Sequence, residues 1–138
     1  KRNLKRNEIN LVMTIKELLE LHDETCDKCR DIMAKKNNDY TGGKTAKDIF
    51  ANFKASQILN IHPVKGILMR MIDKIQRIQS FTNDRKLEVP NESVYDACED
   101  IINYAILAKA MLTEERDFRS KLYDKIKKEC KNSLPPSK

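Results

Sequence analysis

The spacing of hydrophobic residues predicts that most of this chain is helical. From about Glu8 to Lys36, mostly apolar residues recur every three or four positions, as on one face of an α-helix: Ile15, Leu18, Leu19, His22, Cys26, Cys29 and Met33. The segment "NNDYTGG" follows, and its asparagines and paired glycines predict a loop. A second helix is predicted over roughly Ala46 to Leu59, ending before "NIHP".

The second half of the chain shows the same spacing in three further segments. Pro63 suits the first turn of a third helix, because an amide hydrogen would have no partner there, and apolar residues recur from it to Phe81. A loop is predicted over "TNDRKLEVP". Asn91 can cap a fourth helix that runs to about Leu112, and a fifth is predicted over Glu115 to Lys131.

The composition agrees with a helical fold. Three glycines and four prolines are too few to supply the turns of a many-stranded protein. We therefore expect an all-α bundle of four to five helices. We expect a single helical domain over residues 1–132, followed by a disordered tail over residues 133–138.

The formal net charge of +6 favours a polyanionic partner, such as a nucleotide, a nucleic acid or an anionic membrane surface. No stretch approaches the roughly 18 apolar residues of a membrane-spanning helix, and no secretory leader is visible. We expect a cytoplasmic protein without a membrane partner. Binding to a nucleic-acid polymer is the least favoured class, because stacking aromatics are few and no nucleic-acid module is recognisable.

Four cysteines raise the question of a metal or redox site. Cys26 and Cys29 form a Cys-x-x-Cys pair, but Cys98 and Cys130 are scattered singly, whereas a closed zinc site needs four ligands at suitable spacing. Cys26 and Cys29 share a helix face with apolar residues, so buried, reduced thiols are predicted. His22, on the same face, is predicted to be a core histidine.

The fourth predicted helix carries a strip of acids within an otherwise basic protein. Glu92, Asp96, Asp100 and Asn103 follow one another at spacings of four, four and three, which places them on one side of the helix. Adjacent carboxylates repel each other unless a cation lies between them, and magnesium takes oxygen ligands of this kind. The alternatives are an acidic solvent face or salt bridges to lysines elsewhere in the fold.

The third predicted helix carries the opposite charge in the same manner, with Arg70, Lys74 and Arg77 in one strip. Carboxylates that hold a metal, with lysine and arginine beside them, would bind a triphosphate and stabilise charge that develops on phosphorus. A further acidic set, Asp23, Glu24 and Asp27, lies on the outer face of the first helix, where solvated surface is the favoured interpretation.

Four motifs in order, "CRDIMAKKNNDY", "FANF", "RMIDKIQRI" and "VPNESVYDACEDIINYAIL", resemble the nucleotide modification associated domain 1 family over about residues 22 to 112. The family's proposed role lies in phage nucleotide metabolism, which implies the cytoplasm, or the host cytoplasm if a phage encodes the chain. Carried over residue by residue, the resemblance singles out Lys36, Asp39, Tyr40, Asn52, Phe53, Arg70, Lys74, Arg77, Glu92, Asp96, Asp100, Asn103 and Tyr104.

The family's helical pattern looks like that of MazG-like and dimeric dUTPase-type nucleoside triphosphate pyrophosphohydrolases. The resemblance implies a homo-oligomer, with a site built across subunits, that cleaves a (deoxy)nucleoside triphosphate to monophosphate and pyrophosphate. Magnesium would be held by Glu92, Asp96 and Asp100.

In this hypothesis Lys36, Lys74 and Arg77 neutralise the phosphates, while Tyr40 and Asn103 contact the base or sugar. The acidic motifs differ from those of the enzymes, because Asp96 and Asp100 are spaced four apart rather than three. The alternative is therefore a non-catalytic protein that sequesters a signalling nucleotide.

Overall fold

The computed structural model describes residues 12–40, 48–84 and 93–132, with the backbone alone for residues 37–40. In these ranges the elements are α1 (Ile15–Tyr40), α2 (Ala51–Lys54), a 3₁₀ segment (Ala55–Leu59), α3 (Pro63–Asp84) and α4 (Val94–Asn132). The described residues contain no strand, which confirms the all-α prediction. The predicted tail over residues 133–138 lies outside the described residues, as do residues 8–11 of the first predicted helix.

Reciprocal side-chain caps fix where α1 and α4 begin. Glu17 accepts a hydrogen bond from the Thr14 amide (2.7 Å), and the Thr14 hydroxyl oxygen accepts one from the Glu17 amide (3.3 Å), so α1 begins at Ile15. The predicted helix is therefore wrong for residues 12–14. Ser93 and Asp96 form the same pair at α4, with distances of 3.0 and 3.1 Å. The cap of α4 is thus Ser93 and not Asn91.

The loop predicted at "NNDYTGG" is wrong in its first half, because α1 continues to Tyr40. Asparagine and aspartate disfavour a helix interior by only about 0.7 kcal/mol per residue relative to alanine. Such a cost is too small to end a helix that already has six turns behind it. The paired glycines at 42 and 43, which are stronger helix breakers, come after the end of α1.

The fourth and fifth predicted helices are one helix. α4 runs for 39 residues without a break, a length of about 58 Å. Neither glycine nor proline occurs between Leu112 and Glu115. The Thr113 hydroxyl donates to the Lys109 carbonyl one turn earlier (2.8 Å), an arrangement that a continuous helix accommodates. The described residues therefore form three long α-helices and one short one.

The second predicted helix is shorter than expected. Asp48 accepts a hydrogen bond from the Phe50 amide (2.9 Å), and α2 begins at Ala51. It tightens into the 3₁₀ segment, and Asn60, the residue that follows this segment, has a left-handed conformation (φ 57°). Asparagine tolerates this conformation better than most residues. α3 then begins at Pro63 as predicted and runs three residues past Phe81.

α4 is the central helix, and both α3 and α1 pack against it. α3 runs antiparallel to α4, because His62 lies 3.3 Å from Glu115 at one end and Lys74 lies 2.9 Å from Asp100 nearer the other. α1 meets α4 where the Cys29 sulfur approaches the Glu99 carbonyl (3.7 Å). None of the described helices is long and apolar enough to cross a bilayer.

The buried core is small and lies where α2, α3 and α4 meet. It contains Phe50, Ile67 and Met111, with Phe53 and Tyr104 packed against it. Cys29 is buried as predicted, while Cys26 is half-buried.

The predicted apolar face of α1 is buried only in its second half. Ile15, Leu18 and Leu19 are 71%, 49% and 58% exposed. His22 is not a core histidine, because its side chain is exposed and lies 3.3 Å from Asp23. The outer acids Asp23 and Glu24 are exposed, as expected for solvated surface.

Candidate functional site

A cavity of about 340 Å³ lies between α1, α2, α3 and α4. Its volume is within the usual range for small-molecule sites. Six of the residues singled out from the sequence line it: Lys36, Phe53, Arg70, Asp100, Asn103 and Tyr104. The fold therefore brings together side chains that are up to 68 positions apart in the chain.

Asn103 is the buried polar group of this cavity. It is only 7% exposed, and no hydrogen-bond donor among the described residues reaches its side-chain oxygen. A buried amide oxygen without a donor costs about 1–3 kcal/mol of stability. A ligand that donates a hydrogen bond to this oxygen would recover that energy on binding.

Asp100 forms the charged side of the cavity. Its two carboxylate oxygens face the ammonium groups of Lys36 (3.2 Å) and Lys74 (2.9 Å). Burial alone would raise the pKa of Asp100, but the hydrogen bonds from Lys74 and Lys36 outweigh burial and the pKa is lowered. Asp100 is therefore ionised at neutral pH and holds one lysine from α1 and one from α3 beside the cavity.

Aromatic rings and a guanidinium also line the cavity. The Arg70 guanidinium lies 5.5 Å from the centre of the Phe53 ring, a cation–π contact that keeps the arginine at the cavity. Phe50, which is buried, and Tyr104, which is half-buried and follows Asn103 in α4, line the cavity as well. The cavity thus combines stacking surfaces, one buried amide and cations at its edge.

The acidic strip fits magnesium poorly in the described part of the chain. Asp96 accepts from Ser93 to cap α4, and these hydrogen bonds lower the pKa of Asp96, with Lys28 and Arg77 adding to the effect. No group of three histidine, cysteine, aspartate or glutamate side chains suited to a metal occurs among the described residues. Salt bridges to lysines, the alternative interpretation of this strip, are confirmed for Asp100. Glu92, the third predicted ligand, lies outside the described residues.

The sequence comparison gives one positive result. Residues 48–112 match the family model of nucleotide modification associated domain 1. The match covers α2, α3 and α4 as far as Leu112, which includes five of the six cavity residues noted above and leaves out Lys36. The predicted resemblance over residues 22–112 is confirmed for this part, and α1 lies outside it.

No curated protein and no solved structure gives a significant match to the sequence. The likeness to the MazG-type pyrophosphohydrolases therefore stays a prediction.

The remaining predicted residues are distributed around the cavity. Lys74 lies 2.9 Å from Asp100, and the charge of Arg77 helps to lower the pKa of Asp96, so the basic strip of α3 lies beside the acidic strip of α4. Asn52 is exposed on α2 and does not line the cavity. The side chains of Asp39 and Tyr40 lie outside the described residues, although both positions belong to the last turn of α1.

Sequence reasoning missed part of the lining, including Arg30, Met33, Phe50 and Leu107. Arg30 and Met33 precede Lys36 by six and three residues, so helical spacing alone places all three on neighbouring parts of one face. Phe50 follows the pattern of the second predicted helix. Its position against Ile67 and Met111 depends on tertiary packing.

Proposed function

We propose that the chain binds a nucleotide in the central cavity. The observation that carries this proposal is the buried Asn103 oxygen, which lacks a donor among the described residues and lines a cavity walled by aromatic rings. The exocyclic amino group of a nucleobase is a donor of the required kind, and the ring of the base would stack on Phe53 or Tyr104. The name of the matched family supports a nucleotide as the ligand class.

Cations at the cavity edge would hold the phosphates. Arg70 and Arg30 line the cavity together with Lys36, and an arginine presents a planar fork of donors that suits phosphate oxygens. Lys36 is bound to Asp100 in the free chain, at 3.2 Å, so a phosphate would compete with that carboxylate for the ammonium group. The proposal places the chain in the cytoplasm, or in the host cytoplasm if a phage encodes it.

Magnesium-dependent pyrophosphohydrolysis of a nucleoside triphosphate is the second candidate function. Asp96 and Asp100 lie one turn apart on α4 beside the proposed phosphate site, which supports it. Metal binding at Asp100 would require an ion to displace Lys36 or Lys74 from its oxygens. Because these ion pairs satisfy Asp100 without a metal, the geometry favours a binding protein that sequesters a nucleotide.

A nucleotide panel tests the proposal. We expect calorimetric titration to detect binding of at least one nucleotide, and a ligand recovered chemically intact after heat denaturation of the complex. Lys36→Ala is expected to weaken binding by about tenfold, the scale of one charge-assisted hydrogen bond. Lys35→Ala, which removes an adjacent exposed lysine that does not line the cavity, is the matched control.

Two results would count against nucleotide binding. The first is no heat of binding for any mono-, di-, tri- or cyclic nucleotide, with or without magnesium. The second is tight, sequence-selective binding of a duplex at physiological salt, which would favour the polymer class. Recovery of a monophosphate and pyrophosphate from a bound triphosphate would instead move the function to the second candidate.

Asp100→Asn separates the binder from the enzyme. The substitution keeps the shape of the side chain but releases Lys36 and Lys74 from their carboxylate partner. For a binding protein we expect the affinity for a phosphorylated ligand to rise by about tenfold, because two ammonium groups become available to phosphate. For a magnesium-dependent enzyme, the same change would abolish turnover.

Asp73→Asn is the control for Asp100→Asn, because it removes one negative charge from the exposed side of α3. Titration calorimetry and product analysis of both variants decide between the functions. Asp96→Ala is the less specific test, since it also removes the acid that accepts the Ser93 amide hydrogen bond at the start of α4, a loss of about 1 kcal/mol of stability. If the wild type shows no turnover and Asp100→Asn binds nucleotides more weakly than the wild type does, the proposal that Asp100 withholds Lys36 and Lys74 from phosphate is contradicted.

We also propose that the chain forms a homo-oligomer. Among the described residues, five hydrophobic side chains are buried, whereas twenty large ones are exposed. Leu68, Ile72 and Ile75 form an uncovered stripe along α3, each about half exposed. So much uncovered apolar surface is typical of a chain whose core is completed by association.

A further inference from the structure

The last turns of α4 carry an apolar stripe that no other described element covers. Phe118, Leu122 and Ile126 follow one another four residues apart and are 65%, 45% and 50% exposed. They continue the side of α4 that buries Met111 against α3. Because His62, just before α3, already lies opposite Glu115, the basic α4 end (residues 116–132) extends beyond α3.

The first turns of α1 carry a matching stripe. Ile15, Leu18 and Leu19 continue the side of α1 on which Cys29 meets α4, yet all three are about half or more exposed. We call residues 15–24 the acidic α1 end. Its apolar side chains are uncovered, like those of the basic α4 end, so burying them against another surface would be favourable.

The two ends cannot reach each other within one chain. α1 and α4 meet at Cys29 and Glu99. From that point Leu18 is about 16 Å away along α1, and Leu122 is about 34 Å away along α4. Lys28 contacts Asp96 and Lys36 contacts Asp100, so α1 and α4 advance in the same direction past this point, and the two stripes lie on opposite sides of it. The distance between Leu18 and Leu122 therefore exceeds the longer of the two lengths, about 34 Å. Side chains do not span that separation, so each stripe must find its partner elsewhere.

Charge distinguishes the two ends and makes them complementary. The acidic α1 end has four acidic residues and one basic residue, whereas the basic α4 end has seven basic residues and three acidic ones. Lys121 and Lys125 flank the Leu122 stripe on α4, and Asp23 flanks the Leu18 stripe on α1. Apolar stripes bordered by opposite charges are suited to pack against each other.

We propose that two copies of the chain associate so that the acidic α1 end of each packs against the basic α4 end of the other. A second copy is the partner because one chain carries both complementary surfaces and cannot join them itself. Two such contacts related by a two-fold axis leave neither end uncovered, which gives a closed dimer. The proposal specifies the contact behind the homo-oligomer and is independent of the nucleotide cavity.

Paired charge reversals test this arrangement. The α1-reversed chain carries Glu20→Lys, Asp23→Lys and Glu24→Lys. The α4-reversed chain carries Lys121→Glu, Lys125→Glu and Lys128→Glu. Each variant alone would bring like charges together at both contacts, and we expect its self-association to weaken by at least about 100-fold at low ionic strength. An equimolar mixture restores opposite charges at both contacts, so we expect dimers that contain one chain of each kind.

Sedimentation velocity measures all three samples, and circular dichroism shows whether each variant keeps its helices. A chain that carries all six reversals is expected to dimerise by itself again, because opposite charges then meet at both contacts. This chain keeps the test available if the α1-reversed chain or the α4-reversed chain folds poorly. In a second comparison, Leu122→Asp is expected to separate the dimer, whereas Ser120→Asp on the opposite side of the same turn leaves it intact.

The outcomes separate this contact from the wider proposals. A wild-type chain that sediments as a monomer would overturn both the contact and the homo-oligomer. Variants that stay as dimeric as the wild type, or a mixture that fails to restore dimers, would overturn the contact alone. Nucleotide binding is measured on the same samples, and its presence or absence bears only on the cavity.

Discussion

Asn103→Leu is expected to leave the free energy of unfolding unchanged or raised, while weakening nucleotide binding by at least about 100-fold. The free chain holds the Asn103 oxygen buried without a donor among the described residues, so an apolar side chain of similar size removes a destabilising group. The ligand then loses its acceptor and leaves its own donor unpaired in the cavity. Urea denaturation and titration calorimetry on the same preparation measure the two effects.

Asn52→Leu is the matched control for Asn103→Leu. Both asparagines were singled out by the family resemblance, but Asn52 is exposed on α2 and does not line the cavity. We expect Asn52→Leu to bind nucleotides as the wild type does. Full binding by Asn103→Leu, or loss of binding in Asn52→Leu alone, would show that the ligand lies elsewhere.

Ile67→Ala is expected to lower the free energy of unfolding by about 2–5 kcal/mol. Ile67 is 1% exposed and packs in the core with Phe50 and Met111. The truncation leaves a void that the surrounding helices fill only in part. Since Phe50 also lines the cavity, we expect nucleotide binding to weaken as well. Urea denaturation followed by circular dichroism at one fixed protein concentration measures the change, because association contributes to apparent stability.

Ile58→Ala is the control for this loss of stability. Ile58 belongs to the 3₁₀ segment and is 85% exposed, so the same chemical change is expected to alter stability by less than about 0.5 kcal/mol. Equal effects of the two substitutions would mean that Ile67 is not at the centre of the core. A change confined to binding, without a change in stability, would contradict the link between this core and the cavity wall.

The sequence by itself determined the helical class and several helix boundaries. Pro63 begins α3 as predicted. The threonine and serine caps at positions 14 and 93 were not predicted, although each has an acid three residues later, a local pattern that needs no tertiary contact. The spacing of four and three also placed Asp96, Asp100 and Asn103 on one side of α4. These features depend on interactions within a few residues, which is why they can be predicted from the sequence.

Two predictions of helix ends were wrong, because residues that only weakly disfavour a helix were interpreted as helix breakers. The helix continues through "NNDY", and α4 passes from Leu112 to Glu115 without interruption. Each residue there disfavours a helix by less than about 1 kcal/mol, which flanking helical turns overcome. Whether such a segment stays helical depends on how the rest of the chain packs against it. A short stretch of sequence does not contain that information.

Only the tertiary structure decided what Asp100 and Asn103 of the α4 strip do. Asp100 is bound by lysines from α1 and α3, and Asn103 is buried in the cavity. Helical spacing predicts which side chains share a face of one helix. It does not predict which charged residues of the neighbouring helices lie beside that face. The energy of a carboxylate depends on charges within a few ångströms, and Lys36 is 64 residues away from Asp100 in the chain. That partner exists only once α1 has packed against α4.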